Sequence, residues 1–152
     1  MYKRSSARIS MAALTLALLI APAMAMGQGM QEKSLYQRVG GYDALAAVVD
    51  DFIGRLVADK RFEKFFDGHS EDSLKRIRQH IVDQFCAATG GPCVYIGRDM
   101  KTTHKGLRIT EADWDASAKH LTATLDKFKV PEKEKNEILT FVTSLKKDIV
   151  EK

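Results

Sequence analysis

The side chains of this sequence best suited to bind a metal are four histidines, at positions 69, 80, 104 and 120, and two cysteines, Cys86 and Cys93. His104 stands in DMKTTHKGLRIT (99–110), between Lys101 and Lys105 and beyond the helix-breaking Gly90-Gly91-Pro92. A neutral imidazole there is a candidate ligand, because imidazole is the commonest metal donor among side chains. His80 follows Ile77 by three residues and precedes Ile81 by one, so on a helix it borders the apolar stripe. Its ring either points to water or leans into a cavity lined by that stripe. His69 lies in a polar loop and is expected to be solvated; His120, just before Leu121, is expected at the surface or its boundary. Cys86 and Cys93 flank the Gly-Gly-Pro turn, and whether they pair depends on compartment and geometry. Their spacing is not that of a CxxC redox pair. HExxH, a Walker loop and a GxSxG elbow are absent, and VGGYDA lacks the spacing and preceding strand of a dinucleotide loop.

The elements that must position these residues follow a short leader. Lys3, Arg4 and Arg8 precede the apolar run MAALTLALLIA (11–21), then Pro22 and the small-residue site Ala23-Met24-Ala25. That is the layout of a signal peptide over 1–25, with an apolar run shorter than the roughly 20 residues a membrane-spanning helix needs. The expected organisation is therefore 1–25 signal peptide, 26–33 linker and 34–152 one domain, in a periplasmic or secreted protein with no stable membrane insertion after cleavage. Removing the leader takes the basic-to-acidic count from 24 against 20 to 21 against 20. So small an excess argues against a nucleic-acid partner.

From residue 34 onward the periodicity is helical throughout, and the fold class is all-α. Ser34 to Gln37 has the form of a capping box for a short helix stopped by Gly40-Gly41. Leu45, Val48, Val49, Phe52 and Leu56 give one face to a helix over 42–58. RFEKFF (61–66) and a polar loop (67–72) lead to a helix over 73–89 with the stripe Leu74, Ile77, Ile81, Phe85 and Ala88. Residues 91–103 read as a long loop or a single helical turn, a length often tied to function. Thr110 to Asp113 opens a helix carrying Trp114, Ala118, Leu121 and Leu125 on one side. Pro131 starts the last helix, buried through Ile138, Phe141, Val142, Leu145 and Ile149.

Three pieces of this pattern resemble the group I truncated haemoglobins over almost all of 34–150. They are SLYQRVGGYDALAAVVDDF (34–52), the pair Phe65-Phe66, and ATGGPCVYIGRDMKTTHKGLRIT (88–110). In the last piece Gly90, Gly91, Pro92, Tyr95, Gly97, Met100, His104, Gly106 and Ile109 keep the family's spacing. The resemblance implies a two-over-two helical sandwich around haem b, with His104 as proximal iron ligand. It further implies that Phe66 packs on the haem face, that Phe52 and Phe85 line the pocket, and that Met100 packs under the porphyrin. Arg76, Arg98, Lys101 and Lys105 are candidates to meet the haem propionates, with Arg76 and Lys101 preferred.

The sequence departs from the family on the distal side. Ile53 stands where a tyrosine hydroxyl commonly donates to bound O₂, and Ile77 and Ile81 stand where glutamines often do. Counted back from Gly90, His80 coincides with the histidine that in some members binds iron directly as a second axial ligand. The expected activity is reversible binding of O₂, NO or CO by a haem protein that is not itself an enzyme. The alternatives are a nitric oxide dioxygenase, served by an unknown electron donor, and a periplasmic electron-transfer haem protein.

Overall fold

Residues 32–152 are described by the computed structural model, and among them every regular element is helical. The expected leader (1–25) and most of the expected linker (26–33) lie outside the described residues. In chain order the elements are α1 (Leu35–Arg38), α2 (Gly41–Ala58), α3 (Glu63–Phe66), α4 (Glu71–Ala88), α5 (Met100–His104), α6 (Glu111–Lys127), α7 (Glu132–Ser144) and α8 (Lys146–Ile149). No described helix is long and apolar enough to cross a membrane.

Local chemistry sets the helix starts. Ser34 caps α1 in a reciprocal box with Gln37, and Thr110 caps α6 in another with Asp113. The 73–89 expectation began too late. Ser70 accepts from the Ser73 amide, and Glu71 and Asp72 sit in the first turn of α4, where carboxylates complement the helix dipole. The polar run that read as loop is thus partly a helix N-terminus. The last helix, expected to run on through Ile149, divides into α7 and α8 at Leu145, where the Ser144 hydroxyl donates to the Phe141 carbonyl.

Helix α2 packs on both α4 and α6, and α6 packs on α7, so two helix pairs face one another. Their shared core is Val48, Phe85, Leu121, Leu125 and Ile138, each no more than 6% exposed, with Phe52, Ile81, Phe141 and Val142 against it. On α6 the buried set differs from the expected stripe. Trp114 and Ala118 are half-buried, whereas Asp113 and Thr124 are buried. Both polar groups are satisfied: Thr124 donates to Asp51 (2.8 Å), and Asp113 accepts from Thr110 and Lys64. A buried hydroxyl or carboxylate survives in a core only with such partners.

Candidate functional site

Helix α5 is one short turn, too short to persist by itself. Asp99 starts it by accepting from the Thr102 amide at 2.8 Å. The Thr102 hydrogen bonds hold the Asp99 carboxyl below the usual carboxylate range. His104 closes the turn, half-buried, with Nδ1 at 2.8 Å from the Met100 carbonyl oxygen. A carbonyl only accepts, so Nδ1 carries the proton and donates. Nε2 is left as an aligned lone-pair donor, the state in which histidine binds a metal.

His80 lies on α4, and its Nδ1 is buried without a hydrogen-bond partner among the described residues. An orphaned buried polar atom costs about 1–3 kcal/mol, so this group destabilises the chain unless something binds it. The His80 ring meets Tyr95 edge to face, with centroids 6.2 Å apart. Tyr95 in turn donates its hydroxyl to the Arg98 carbonyl at 2.6 Å. Burial pushes the Tyr95 phenol above its ordinary pKa, and the nearby Asp99 charge adds to this. Contacts therefore run from His80 through Tyr95 to Arg98, next to the Asp99 cap of the turn that carries His104.

Close approach makes this linkage possible. A Cβ on Gly97 would come within 2.3 Å of the Tyr95 hydroxyl. One on Gly91 would come within 2.6 Å of the Tyr36 ring and 2.8 Å of the Cys86 carbonyl oxygen. Gly91 demands glycine on steric grounds, and a side chain at Gly97 would push the Tyr95 ring from its place. Cys86 and Cys93 are joined, with Cα atoms 5.7 Å apart, so the end of α4 is stapled to the loop that presents Tyr95.

The other candidate residues fall into two groups. Phe52, Ile81 and Phe85 come together at the core, and Phe85 meets Phe141 edge to face at 5.8 Å. Ile53, Phe66, Ile77 and Met100 are half-buried on α2, α3, α4 and α5. Arg76, Arg98, Lys101 and Lys105 are exposed, able to meet an anionic group only at the rim. His69 is exposed, its Nδ1 bonded to Ser73, whereas His120 is half-buried, hydrogen-bonded through Nε2 to Asp59 at 2.8 Å and edge-on to Phe62. Two contributors were missed in the sequence. Asp99 was legible as a cap, three residues before Thr102. Glu151, which grips the backbone beyond His104, carried no local signal.

Among the described residues, no three His, Cys, Asp or Glu side chains converge as a metal cage. The donors are single imidazoles, suited to a metal that brings its other ligands with it, as iron does in a porphyrin. The residues present fit that group: one histidine has its ring nitrogen aligned and free, and a second has a nitrogen buried and unpaired.

Residues 34–151 match the family described as bacterial-like globin. A group 1 truncated haemoglobin of Mycolicibacterium paratuberculosis is 37% identical over 116 residues, covering 76% of this chain and 83% of that protein. One from Nostoc commune is 34% identical, covering 78% of this chain and 98% of that protein. Among solved structures, the Tetrahymena pyriformis truncated haemoglobin in its Fe(III) form superposes with a TM-score of 0.72 at 28% identity, covering 79% of this chain and all of that one. The two-over-two haemoglobin of a Synechococcus species, in the cyanomet state with covalently attached haem, gives 0.70 at 30% identity, covering 78% of this chain and 98% of that one.

Proposed function

Because the chain belongs to the bacterial-like globin family, as one of its group 1 truncated haemoglobins, we propose that it is a haem protein in which His104 ligates the iron and a diatomic gas (O₂, NO or CO) is the ligand it takes up. The observation that carries this reading is the His104 ring itself, proton-bearing on Nδ1 toward the Met100 carbonyl and open on Nε2. When bound, haem would supply an iron, held by His104, that can take up a small ligand.

The protein's own contribution is orientation and exclusion. The Met100 carbonyl fixes the tautomer and plane of His104 and leaves the opposite nitrogen free to bind. Phe52, Ile81 and Phe85 supply apolar packing that keeps water out. Ile53 and Ile77 offer no hydrogen-bond donor from their side chains, which disfavours tight O₂ storage relative to CO or NO. Arg76 and Lys101, both exposed, are suited to meet the propionates at the rim.

The test is His104→Ala in the full chain. The wild type is expected to purify with a Soret band that survives gel filtration, and the variant to lose it. A variant that keeps the same band and haem content overturns the assignment. Stopped-flow mixing of the oxygenated protein with NO, followed by repeated turnover with a reductant, distinguishes gas binding from NO dioxygenase activity.

A second reading, in which His80 takes the sixth position in the resting state, is favoured by its buried, unpartnered Nδ1. It predicts a low-spin spectrum that becomes high-spin in His80→Leu, and an unchanged spectrum removes it. For location, we propose the periplasm or the exterior. The leader-like 1–25 segment and the Cys86–Cys93 bridge, a bond typical of oxidising compartments, support this. A reporter active only after export, fused behind residues 1–25 and found inactive, would count against it.

A further inference from the structure

The turn that follows His104 is held from the far end of the chain. Gly106 (φ 87°) and Arg108 (φ 55°) both lie in the left-handed region. For a non-glycine residue such as Arg108 that conformation costs about 1–3 kcal/mol and persists only where the surroundings impose it. Here one carboxylate grips both ends of the turn. Glu151 accepts from the Gly106 amide through Oε1 (2.7 Å) and from the Arg108 amide through Oε2 (2.6 Å). These two hydrogen bonds hold its carboxyl below the ordinary glutamate range.

Between the two clamped amides, the Leu107 amide donates to the carbonyl of His104 itself at 3.1 Å. The clamp is framed by backbone pairs: the Glu151 amide donates to Ile109 (2.9 Å), and the Glu111 amide donates to Lys152 (3.0 Å). Helix α8, just before this tail, packs on α5.

We propose that Glu151 is a positioning residue for the iron ligand, an assignment that rests on the reading of His104 given above. On its N-terminal side, His104 is oriented by the Met100 carbonyl and by the Asp99 cap. On its C-terminal side, nothing within α5 can hold its carbonyl, because a helix end leaves those groups unpaired. The 106–108 turn takes that role, and Glu151 keeps the turn in shape. Without the carboxylate, the turn relaxes from the left-handed region, Leu107 releases the His104 carbonyl, and the imidazole loses its fixed angle to the iron.

The experiment compares the full haem-loaded chain with and without Glu151→Gln, in a His80→Leu background so that His104 is the sole protein ligand. The amide of the variant keeps one acceptor and replaces the other with a donor, which breaks the two-point grip. The low-frequency Raman band of the ferrous iron–imidazole bond is expected to shift or broaden. Haem transfer to an apoglobin acceptor is expected to quicken about tenfold, the lower end of the range for outer-shell partners of a metal ligand. Exchange of the Leu107 amide with solvent is expected to quicken as well. Arg78→Ala, which breaks an exposed ion pair to Asp50, serves as the control for general destabilisation and should leave band and transfer rate unchanged. A wild-type band, transfer rate and Leu107 exchange in Glu151→Gln overturn the proposal, as does an equal shift in the Arg78→Ala control. If His104→Ala retains haem with the same spectrum, the ligand assignment has failed and this role falls with it. If His104→Ala loses haem while Glu151→Gln behaves as wild type, only the positioning role has failed.

Discussion

The packing of α2 on α6 and of α1 on α7, and the stretch running from His80 to Ile109, treat polar groups in opposite ways. On the first, each buried polar side chain is met. Asp51 is held by Arg55 at 2.7 Å, by the Thr124 hydroxyl at 2.8 Å and by Lys127, and Glu134 is held by Arg38 at 2.9 Å. On the second, His80 keeps a buried nitrogen unpaired; left-handed backbone does not separate the two regions, since Arg108 (φ 55°) and Lys129 (φ 53°), between α6 and α7, both adopt it. The first region is organised to be stable. The second accepts local cost to hold two imidazoles in set positions, the pattern expected where a protein binds something.

Substitutions can break or sharpen that contrast. The largest effect belongs to Leu125→Ala. Leu125 is fully buried at the centre of the shared core, and the change should cost about 2–5 kcal/mol in urea unfolding. A loss below that range would mean the core repacks more freely than its burial suggests.

Next comes Asp51→Ala, which strands the fully buried Thr124 hydroxyl and should cost about 1–3 kcal/mol near neutral pH. The Lys127, Arg55 and Thr124 contacts hold the Asp51 carboxyl well below the usual carboxylate range, Lys127 contributing most. Its contribution is therefore fully present above the unfolded carboxylate pKa of about 3.9 and is lost as pH falls through the lower folded value. Wild type and variant should accordingly converge in stability only in strong acid. Convergence already at pH 6 would contradict the network.

On the site side, Ile53→Tyr adds a hydroxyl where α2 offers none. A new hydrogen bond worth roughly 1–3 kcal/mol would slow O₂ release about fivefold to a hundredfold, measurable by flash photolysis. An unchanged release rate would show that Ile53 does not face the ligand. The smallest effect is also the most diagnostic. His80→Leu removes an unpaired buried nitrogen and should raise the stability of the haem-free chain by about 1 kcal/mol. A substitution that stabilises in one region while its counterpart destabilises in the other is what the contrast requires.

Most of the helices were legible in the sequence because their causes are local. The Ser34–Gln37 and Thr110–Asp113 boxes, and the stripes through Val48 and Phe85, depend on neighbours within a few turns. Features that depend on distant partners were not legible. Thr124 looked unremarkable on α6, because its partner Asp51 lies 73 residues away along the chain, and Asp113 was legible as a cap but not in its contact with Lys64, 49 residues away. His120 likewise owes its half-buried place to Asp59, 61 residues upstream. The candidate site divides in the same way. His104, His80 and the cysteines were visible as residue types at suggestive positions. The Met100 carbonyl, the Tyr95 link and the Glu151 clamp exist only once the chain is folded.

The sulfur pair has one more consequence. Thiolate is a soft, strongly binding donor for iron, and a free cysteine near a metal site would compete with imidazole for it. Locked to one another, Cys86 and Cys93 offer neither lone thiol nor thiolate. The bond that fastens a loop thus also withholds two thiolates from any metal that the imidazoles would hold.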